Sequence, residues 1–569
     1  MTFRSAILDY PSSIIGLTSA AVEILLIRSL TKALRVFGFQ QSTFIVMKRN
    51  YLLAKVAACV ISVYCFSSCQ NPDENSPVNA EQVTSKSDIK GEEAYPGETG
   101  ERKTGKLFGQ EIYYREINNQ AVFQNDIILS PEQLNAGSGE NARTHATGLS
   151  ETVTRWPGGV VYYTISTGVS NKSAILDAIA EVESKTSVKF VNRTLQKNYV
   201  TFYSGRGAAS SLGMIGGQQF INLPIPATKG IVLHEIGHTL GLLHEHTRLD
   251  RNNTIKINYE NVVTELIEDF TPYLTQGLKA VTFKTFDLGS IMMVGPYTSS
   301  KNGYPTIALV NNQIYSIQRT SLSTRDVECI NAMYASLYII QSGKLYGADK
   351  SLPRNVVLNE MGVTAEEVTS DEHYVYTAAA GKIIRYHKFS GQSFTFEGNY
   401  YQVTAMTMYA GNLYVVSNGY LLRINPANGA TTQVGQRIWY QTTAMSYING
   451  FLFIINGANI FRVAPQTGTF VKISTLDFTN CDQMTAGNGK IWTIWGTVLK
   501  STDPMTGAHS ELYTGRIWSV EAMITSVGSY LYILDLGALY RVSTTTGALN
   551  VISSGWSYDT RLTSIDDKD

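Results

Sequence analysis

The sequence has no net charge and few charged residues. Lys plus Arg and Asp plus Glu number 46 each in 569 residues, and charged residues make up 16% of the chain, against about 25% in globular proteins. A balanced chain exerts no long-range attraction on nucleic acid or on an anionic membrane surface. We therefore expect no nucleic-acid partner.

Cysteine is scarce as well, with five residues in the chain, too few for a disulfide scaffold. Three of them, Cys59, Cys65 and Cys69, lie in one short segment. In contrast, 33 Tyr and 47 Gly favour short strands and tight turns. The apolar content of 44% is enough for hydrophobic cores and excludes disorder of the whole chain.

Residues 47–69 have the pattern of a secretory signal. Basic residues 48 and 49 precede an apolar stretch, residues 56–66, which is too short to span a bilayer as a permanent helix. The stretch ends in Ser67-Ser68-Cys69, which resembles a bacterial lipobox. This resemblance implies an exported bacterial lipoprotein, anchored to the bilayer by a lipid on Cys69, on the periplasmic or cell-surface face. The alternative is an ordinary signal peptide and a secreted protein.

The composition divides the chain into further segments. Residues 1–46 precede the signal, and a start codon assigned too early explains them without any function. Residues 70–106 are rich in Glu, Asp, Lys, Ser, Pro and Gly and are predicted to form a disordered tether. The predicted domains that follow are a prosegment at 107–145, a catalytic domain at 146–335 and a repeat domain at 336–569.

Four of the eight histidines lie between residues 234 and 246. On a helix, His234 and His238 share a face and can bind one ion. Gly241 can end the helix in a left-handed conformation, which lets the chain return and bring His244 to the same ion. Three imidazoles with an open position are typical of a catalytic zinc, and Glu235 can take a proton from the zinc-bound water.

The full HExxHxxGxxH pattern is that of metzincins, and Glu245 with residues 248–251 makes the stretch closely similar to the astacin family. The similarity runs from residues 155–163, which resemble the first strand of an astacin domain, to residues 323–334, which resemble its closing helix. It covers about residues 145–335. The resemblance implies an α+β metzincin fold and a zinc metalloendopeptidase that hydrolyses internal bonds of a protein or peptide substrate.

Other family features occur along this stretch. Met292 resembles the Met-turn methionine, although it can equally be a core residue, and residues 211–219 resemble the edge strand to which extended substrates add. The family has a Tyr, two residues after the Met-turn methionine, that binds zinc or stabilises the transition state. Val294 stands there and can do neither. We therefore expect a slower enzyme, unless Tyr297 compensates.

The residues before the catalytic domain resemble an astacin prosegment. Residues 123–126, Phe-Gln-Asn-Asp, are similar to its Phe-x-Gly-Asp motif, which implies that Asp126 is the zinc ligand of a latent precursor. A plain turn aspartate is the alternative. In the family, cleavage frees an N-terminus that pairs with the Glu after the third His. That role falls on Glu245, with cleavage between about residues 139 and 150; an ordinary surface carboxylate is again the alternative.

After Tyr334 the sequence becomes periodic at 38 to 40 residues. A strand-like pair recurs at Leu337-Tyr338, Val375-Tyr376, Leu413-Tyr414, Leu452-Phe453, Ile491-Trp492 and Leu531-Tyr532. Six units of about 40 residues with several strands each predict an all-β propeller of six blades; a parallel β-solenoid fits less well. His373, His387 and His509 share no ligand spacing and are expected at the surface. A glycan or protein ligand for the propeller follows by fold analogy alone.

Two other functions remain open at this stage. The chain can be an adhesin or binding protein with an impaired metzincin domain, which Val294 favours and the intact ligands with Glu235 oppose. The propeller itself can be the enzyme, a glycan lyase or hydrolase, which its lack of a charged cluster opposes. The sequence favours a latent, lipid-anchored zinc endopeptidase with one Zn²⁺ per chain.

Overall fold

A computed structural model of the chain describes residues 92–107, 110–135, 154–272, 283–350, 353, 355–388, 391–474, 477–557 and 560–564. The predicted signal with Cys69, residues 1–91 in general and the predicted cleavage region at 139–150 lie outside the described residues. Among the described helices, none is both long and apolar enough to span a membrane.

One mixed sheet of nine strands organises the N-terminal half, in the order β1-β2-β3-β4-β8-β9-β7-β5-β6. Its strands are β1 (Glu101–Leu107), β2 (Gln110–Ile117), β3 (Gln120–Phe123), β4 (Ile127–Leu129), β5 (Val160–Ile165), β6 (Lys189–Asn192), β7 (Tyr199–Ser204), β8 (Ala209–Ser211) and β9 (Gln218–Leu223). A separate antiparallel pair consists of β10 (Ile255–Ile257) and β11 (Ile307–Leu309). The sequence also predicts strands near residues 188–191 and 200–203, and these correspond to β6 and β7.

The helices of this half are α1 (Pro131–Asn135), α2 (Lys172–Lys185), α3 (Lys229–Leu240) and α4 (Thr324–Met333), with 3-10 turns at Pro157–Gly159, Glu245–Thr247, Arg251–Asn253, Tyr259–Asn261 and Thr264–Phe270. Asn171 caps α2 by accepting from the backbone of Ala174. In the sequence, Ile175, Leu176, Ile179 and Val182 form an apolar stripe that predicts one buried helix face, and Ile175 and Val182 are buried. The stripe also predicts burial of Leu176, but that side chain is 49% exposed.

The prediction of a tether up to residue 106 is wrong for its last part. Residues 101–107 form β1, which pairs with β2 along its full length. The charged side chains of β1 lie on exposed positions while Leu107 and Ala94 are buried. The composition of this segment suggested disorder because it is rich in charged residues. An antiparallel hairpin can nevertheless direct its charged side chains to solvent and bury only a few apolar residues.

The C-terminal half consists of six antiparallel sheets of four strands, the six-bladed propeller that the repeats predict. The strands are β12 (Leu337–Gln341), β13 (Lys344–Ala348) and β14 (Asn355–Glu360) in blade 1; β15 (Glu367–Ser370), β16 (Tyr374–Ala379), β17 (Lys382–His387) and β18 (Ser393–Thr395) in blade 2; β19 (Val403–Tyr409), β20 (Asn412–Ser417), β21 (Tyr420–Ile424) and β22 (Thr431–Gln433) in blade 3; β23 (Thr442–Ile448), β24 (Phe451–Asn456), β25 (Asn459–Val463) and β26 (Phe470–Lys472) in blade 4; β27 (Gln483–Gly487), β28 (Lys490–Trp495), β29 (Val498–Thr502) and β30 (His509–Glu511) in blade 5; β31 (Met523–Val527), β32 (Tyr530–Asp535), β33 (Ala538–Ser543) and β34 (Leu549–Ser554) in blade 6.

The ring closes with a strand from the other end of the chain. The last described strand, β35 (Arg561–Ser564), pairs with β12 and so completes blade 1. Apolar clusters form between successive blades, so each unit buries its faces against its neighbours. The expectation that His387 is at the surface is wrong: its side chain is 5% exposed and its ring packs edge-on against Tyr374.

The catalytic half and the propeller share one hydrophobic core. Its buried members include Ile236 of α3, Met333 of α4 and Tyr338 of blade 1, and it continues into blade 2. An ion pair also joins the two halves, because Arg155 lies 3.6 Å from Glu372. The two halves therefore pack as continuous structure within residues 154–388.

Candidate metal centre

Helix α3 places two of the predicted ligands. It begins after Thr228, whose hydroxyl accepts from the backbone of Ile231. His234 and His238 are one turn apart and both are fully buried. The helix is apolar around most of its surface and lies against the sheet on one side and the Met-turn on the other, which is why polar groups on it are removed from bulk water.

Gly241 ends the helix and redirects the chain. Its φ of 109° lies in the left-handed region, and its N–H bonds to the carbonyls of Gly237 and His238. This conformation is accessible to glycine at little cost. The chain then returns, and the buried side chain of His244 comes to lie beside the two helical histidines.

The three imidazoles and Asp126 converge on one point. Asp126 Oδ2 lies 3.3 Å from His234 Nε2 and 3.1 Å from His244 Nε2, and Asp126 Oδ1 lies 3.5 Å from His238 Nε2. One ligand atom from each of the four residues falls within 4.8 Å of all the others.

Backbone carbonyls orient the helical ligands. His234 donates from Nδ1 to Ile291 O at 2.8 Å, and His238 donates from Nδ1 to Leu242 O at 2.8 Å. A proton on Nδ1 leaves the lone pair of Nε2 free to bind a cation. Burial lowers the pKa of His238 to about 4, an effect that Asp126 only partly opposes, so this ring is neutral at physiological pH.

Asp126 arrives at this point on a turn between β3 and β4. Gln124 and Asn125 have φ values of 49° and 75°, which lie in the left-handed region. The family motif has Gly at the position of Asn125, and Asn is one of the few other residue types that adopt this conformation at low cost. Strand β4 runs parallel to β8, with Ile127 opposite Ser210. The segment therefore occupies the sheet edge at which the sequence predicts substrate binding.

The residues fit a zinc ion. Three imidazoles and a carboxylate are ligands of the type and number that tetrahedral Zn²⁺ takes. Among the described residues, Asp126 Oδ1 and His238 Nε2 are buried without a hydrogen-bond partner, which is costly unless a cation binds them. Burial tends to raise the pKa of Asp126, but His244 and His238 outweigh it and hold that pKa well below its usual range.

Glu235 lies next to the first ligand and is fully buried. Neither of its carboxylate oxygens has a hydrogen-bond partner in the part of the chain that the structure describes. Burial, followed by the negative charges of Asp126 and Glu92, raises the pKa of Glu235 well above its usual range. A carboxyl group in this state readily accepts and returns a proton.

Met292 packs directly beneath the site helix. A Cβ on Gly237 would lie 2.4 Å from Met292 Sδ, so the close approach of turn and helix requires glycine there. Val294 is buried in a neighbouring apolar cluster and lines a small pocket beside His244. Tyr297 is not among the described side chains that line this pocket. The hydroxyl of Tyr315 donates to Val294 O at 2.8 Å.

Glu245 is a buried residue, 7% exposed, rather than a surface carboxylate. Its Oε1 accepts from the backbone of Asp287 at 2.7 Å and lies 3.3 Å from Arg248 Nε. Burial raises the pKa of Glu245 to about 8, which Arg248 only partly opposes. A cavity beside it is lined also by Asp326 and Cys329.

The sequence did not reveal an ion pair next to this centre. Glu92 and Arg319 form two hydrogen bonds, of 2.6 and 3.0 Å, and both side chains are largely buried. Burial raises the pKa of Glu92, but Arg319 and then His234 outweigh it and bring the pKa to about 2. The two residues are 227 positions apart and match no motif, so sequence spacing could not indicate that they pair. The one hint was the abundance of acidic residues around Glu92, in the segment interpreted as a tether.

His246 belongs to the histidine-rich stretch, but the sequence assigns it no role. Its ring is buried between His244 and Phe270, and its Nε2 lies 3.2 Å from Asp269 O. Burial, with His244 and Arg251 adding to it, lowers the pKa of His246 well below its usual range. His246 therefore supports the third ligand as a neutral, packed side chain.

Several known proteins are similar in sequence to this region of the chain. The sequence profile of the peptidase family described as Astacin matches residues 148–335. Zinc metalloproteinase nas-13 of Caenorhabditis elegans is 34% identical over 33% of this chain and 42% of its own length. Zinc metalloproteinase nas-4 of the same organism is 31% identical over 37% of this chain and 68% of its own length.

Among solved structures, the high choriolytic enzyme 1, a hatching enzyme zinc-protease of the medaka fish Oryzias latipes, is 30% identical over 32% of this chain and 93% of its own, with a TM-score of 0.28. The chain spans less than half of the length of nas-13. The extent of the nas-4 match and the family profile together identify the chain as a member of the astacin family of peptidases.

Proposed function

We propose that the protein is a zinc metalloendopeptidase that hydrolyses internal bonds of proteins or peptides. The observation that carries this proposal is the convergence of three buried Nε2 atoms on one point beside buried Glu235, whose carboxylate has no hydrogen-bond partner among the described residues. A structural zinc site has no need for an adjacent free carboxylate, whereas peptide hydrolysis needs a base within reach of water.

Each residue has a separate part in the reaction. Bound Zn²⁺ supplies a Lewis acid that polarises the scissile carbonyl and lowers the pKa of water. His234, His238 and His244 hold the ion, and the carbonyls of Ile291 and Leu242 keep two of the rings in position. Glu235 takes the proton of the attacking water and gives it to the leaving amine.

Replacement of Glu235 tests this assignment. The Glu235→Gln variant should keep stoichiometric zinc, because Gln has nearly the same shape and Glu235 is not a ligand. Its turnover of a denatured-protein substrate should fall by about 10²–10⁴-fold. Zinc content and turnover are measured on the same mature preparation, with a chelator-treated sample as control. Undiminished cleavage by this variant would remove Glu235 as the base.

We also propose that the chain is made as a latent precursor, with Asp126 as the fourth zinc ligand. Three contacts support this: the position of Asp126 among the histidines, the pairing of β4 with β8, and the Glu92–Arg319 ion pair. A carboxylate in the fourth position excludes the nucleophilic water, and β4 excludes an extended substrate from the sheet edge.

Two variants of the precursor separate these contacts. Asp126→Ala should raise precursor activity, because the fourth position becomes open to water. Glu92→Gln should leave the zinc position closed but speed release of the segment, because it leaves Arg319 buried without a countercharge. Activity before and after limited proteolysis is the measurement. If the Asp126→Ala precursor is as inactive as the wild type, steric closure alone accounts for latency.

Maturation and export complete the proposal. Cleavage between about residues 139 and 150 removes the prosegment, and the new N-terminus pairs with Glu245, whose adjacent cavity can receive it. The segment 47–69 directs export, with lipid attached to Cys69. The Cys69→Ala variant should leave the membrane fraction or stall in processing; a wild-type protein that is already free of the membrane would contradict lipid attachment.

A further inference from the structure

At five of the junctions between blades, a buried aromatic residue lies in the loop that leads to the innermost strand of the next blade. The backbone N–H of this residue donates to a carbonyl in the preceding blade's hairpin, over 2.7–3.1 Å. The five pairs are Tyr400 with Gly381, Trp439 with Gly419, Phe478 with Ala458, Trp518 with Thr497 and Trp556 with Gly537. This bond fixes the loop on one face of the propeller and thereby fixes the direction of the residue that follows.

The residue that follows is a tyrosine in two neighbouring units. Tyr401 and Tyr440 are 56% and 66% exposed. A Cβ on Gly381 would lie 2.8 Å from the ring of Tyr401, and a Cβ on Gly419 would lie 2.5 Å from the ring of Tyr440. Each ring therefore rests on a bare glycine backbone with its remaining surface toward solvent. The equivalent residues of the other units are small and polar: Thr479, Ser519 and Ser557.

A polar cavity opens on the same face. The channel of the propeller encloses about 560 Å³ and is lined by the innermost strands, with the loop residues Asp482 and Glu521 among its lining. Asp482 lies one residue before β27 and Glu521 lies two residues before β31, as Tyr401 and Tyr440 lie two residues before β19 and β23, which places all four at the same end of the ring. Arg561 also lines the channel, and its Nε donates to Glu366 O at 2.9 Å.

We propose that this face of the propeller, which we call the tyrosine face, binds a neutral oligosaccharide. The C–H faces of sugar rings can stack on Tyr401 and Tyr440, whose fixed rings lose little conformational freedom on binding. The carboxylates of Asp482 and Glu521 are acceptors only, so they suit a ligand that offers many hydroxyl donors. Acidic side chains in the channel lining (Asp482, Glu521 and Glu367) outnumber the single cation, Arg561, which disfavours an anionic ligand.

A peptide is the competing occupant, because aliphatic side chains are also exposed at this end: Ile517 by 78%, Leu536 by 65%, Val520 by 62% and Ile438 by 49%. The three most exposed belong to the loops and hairpin of blades 5 and 6, whereas the fixed tyrosines, with Ile438, belong to the loops before blades 3 and 4. The sugar proposal requires the tyrosines and not Ile517, so the two occupants predict different effects of substitution.

The test uses the full chain and calorimetric titration with four neutral hexasaccharides, built of glucose, N-acetylglucosamine, xylose or mannose. At least one should bind, and Tyr401→Ala or Tyr440→Ala should each weaken that binding by about tenfold, as loss of one aromatic stacking platform does for nucleic-acid bases. Tyr401→Phe, which keeps the ring, should bind within about twofold of wild type. Asp482→Asn should weaken binding without abolishing it.

Tyr304 of the catalytic half is as exposed as Tyr440, at 66%, and Tyr304→Ala is the matched control that should bind normally. Circular dichroism of each variant checks folding. The proposal is overturned if none of the four sugars binds at about 10 mM, or if the double Tyr401→Ala, Tyr440→Ala variant binds as the wild type does. It is equally overturned if a denatured protein binds, the sugars do not, and Ile517→Ser abolishes that binding. None of these readouts depends on proteolysis.

Discussion

At position 294 a buried valine stands where the astacin family has a tyrosine that can donate to the developing oxyanion. Val294 lines the pocket beside His244 together with Gln124 and Asp126 of the proposed prosegment. Removal of that segment would make room next to this side chain. The hydroxyl of Tyr315 donates to Val294 O at 2.8 Å, so it is engaged with the backbone.

Val294→Tyr in the mature protein should raise turnover, by up to about 10²-fold, because a donor to the oxyanion acts mainly in the transition state. The apparent KM should change little for the same reason. Steady-state kinetics on one peptide substrate measures both. Val294→Phe adds the ring without the hydroxyl and should give no gain; an equal gain from Phe would mean that packing, not hydrogen bonding, limits the enzyme.

Residue spacing alone was enough to locate the centre of the site. The pattern from His234 to His244 specifies a helix, a glycine turn and a returning ligand, all of which are local in sequence. The pair Glu92–Arg319 could not be found in this way, because 227 residues separate its members and only the folded sheet brings them together. The burial of His387 was missed for a similar reason, since it depends on a neighbouring strand.

At the scale of elements, the end of α3 decides whether the third ligand reaches the ion. Replacing Gly241 by Ala forces a side chain into the left-handed region, which costs about 1–2 kcal/mol, or else shifts the turn. In either case His244 is held less firmly. Gly241→Ala should therefore lower both the melting temperature and the affinity for zinc, which competition with a chromophoric chelator measures.

The propeller offers a matched control for that experiment. Gly411 has a φ of 70° and open space where a Cβ would lie, but it is in a hairpin of blade 3, away from the ligands. Gly411→Ala should cost a similar amount of stability and leave zinc affinity unchanged. If both variants bind zinc equally well, the turn at Gly241 is not what positions His244.

Strand prediction succeeded where periodicity was strong and failed where composition dominated. The repeat of 38 to 40 residues identified six blades because each unit has its own strands and turns. Residues 101–106, which form most of β1, were interpreted as the end of a disordered tether because their charges and small residues resemble those of a linker. What stabilises β1 is its pairing with β2 and the burial of Leu107, both of which depend on residues further along the chain.

At the scale of the whole molecule, closure of the propeller depends on a single short strand. Leu562 of β35 is buried with Leu337 and Ile339 of β12. A chain that ends after residue 560 should leave blade 1 with three strands and an open edge. We expect its melting temperature to fall by about 10 °C, measured by calorimetry.

The control for this truncation is a chain that ends after residue 564, which keeps β35 and should melt as the full chain does. Equal melting of all three chains would show that the fourth strand of blade 1 contributes nothing to stability. Proteolytic activity should fall with the shorter chain, because blade 1 shares its core with α3 and α4.

The same strand sets an order of events during biosynthesis. Strand β12 emerges from the ribosome more than two hundred residues before its partner β35, and blade 1 lies against α4, in the same apolar core as the helix that carries His234 and His238. A chain interrupted during translation would therefore contain His234, His238, His244 and Glu235 but not β35, and blade 1 would lack its fourth strand. We expect the core that blade 1 shares with α3 and α4 to reach its final packing only after nearly the whole chain has been made.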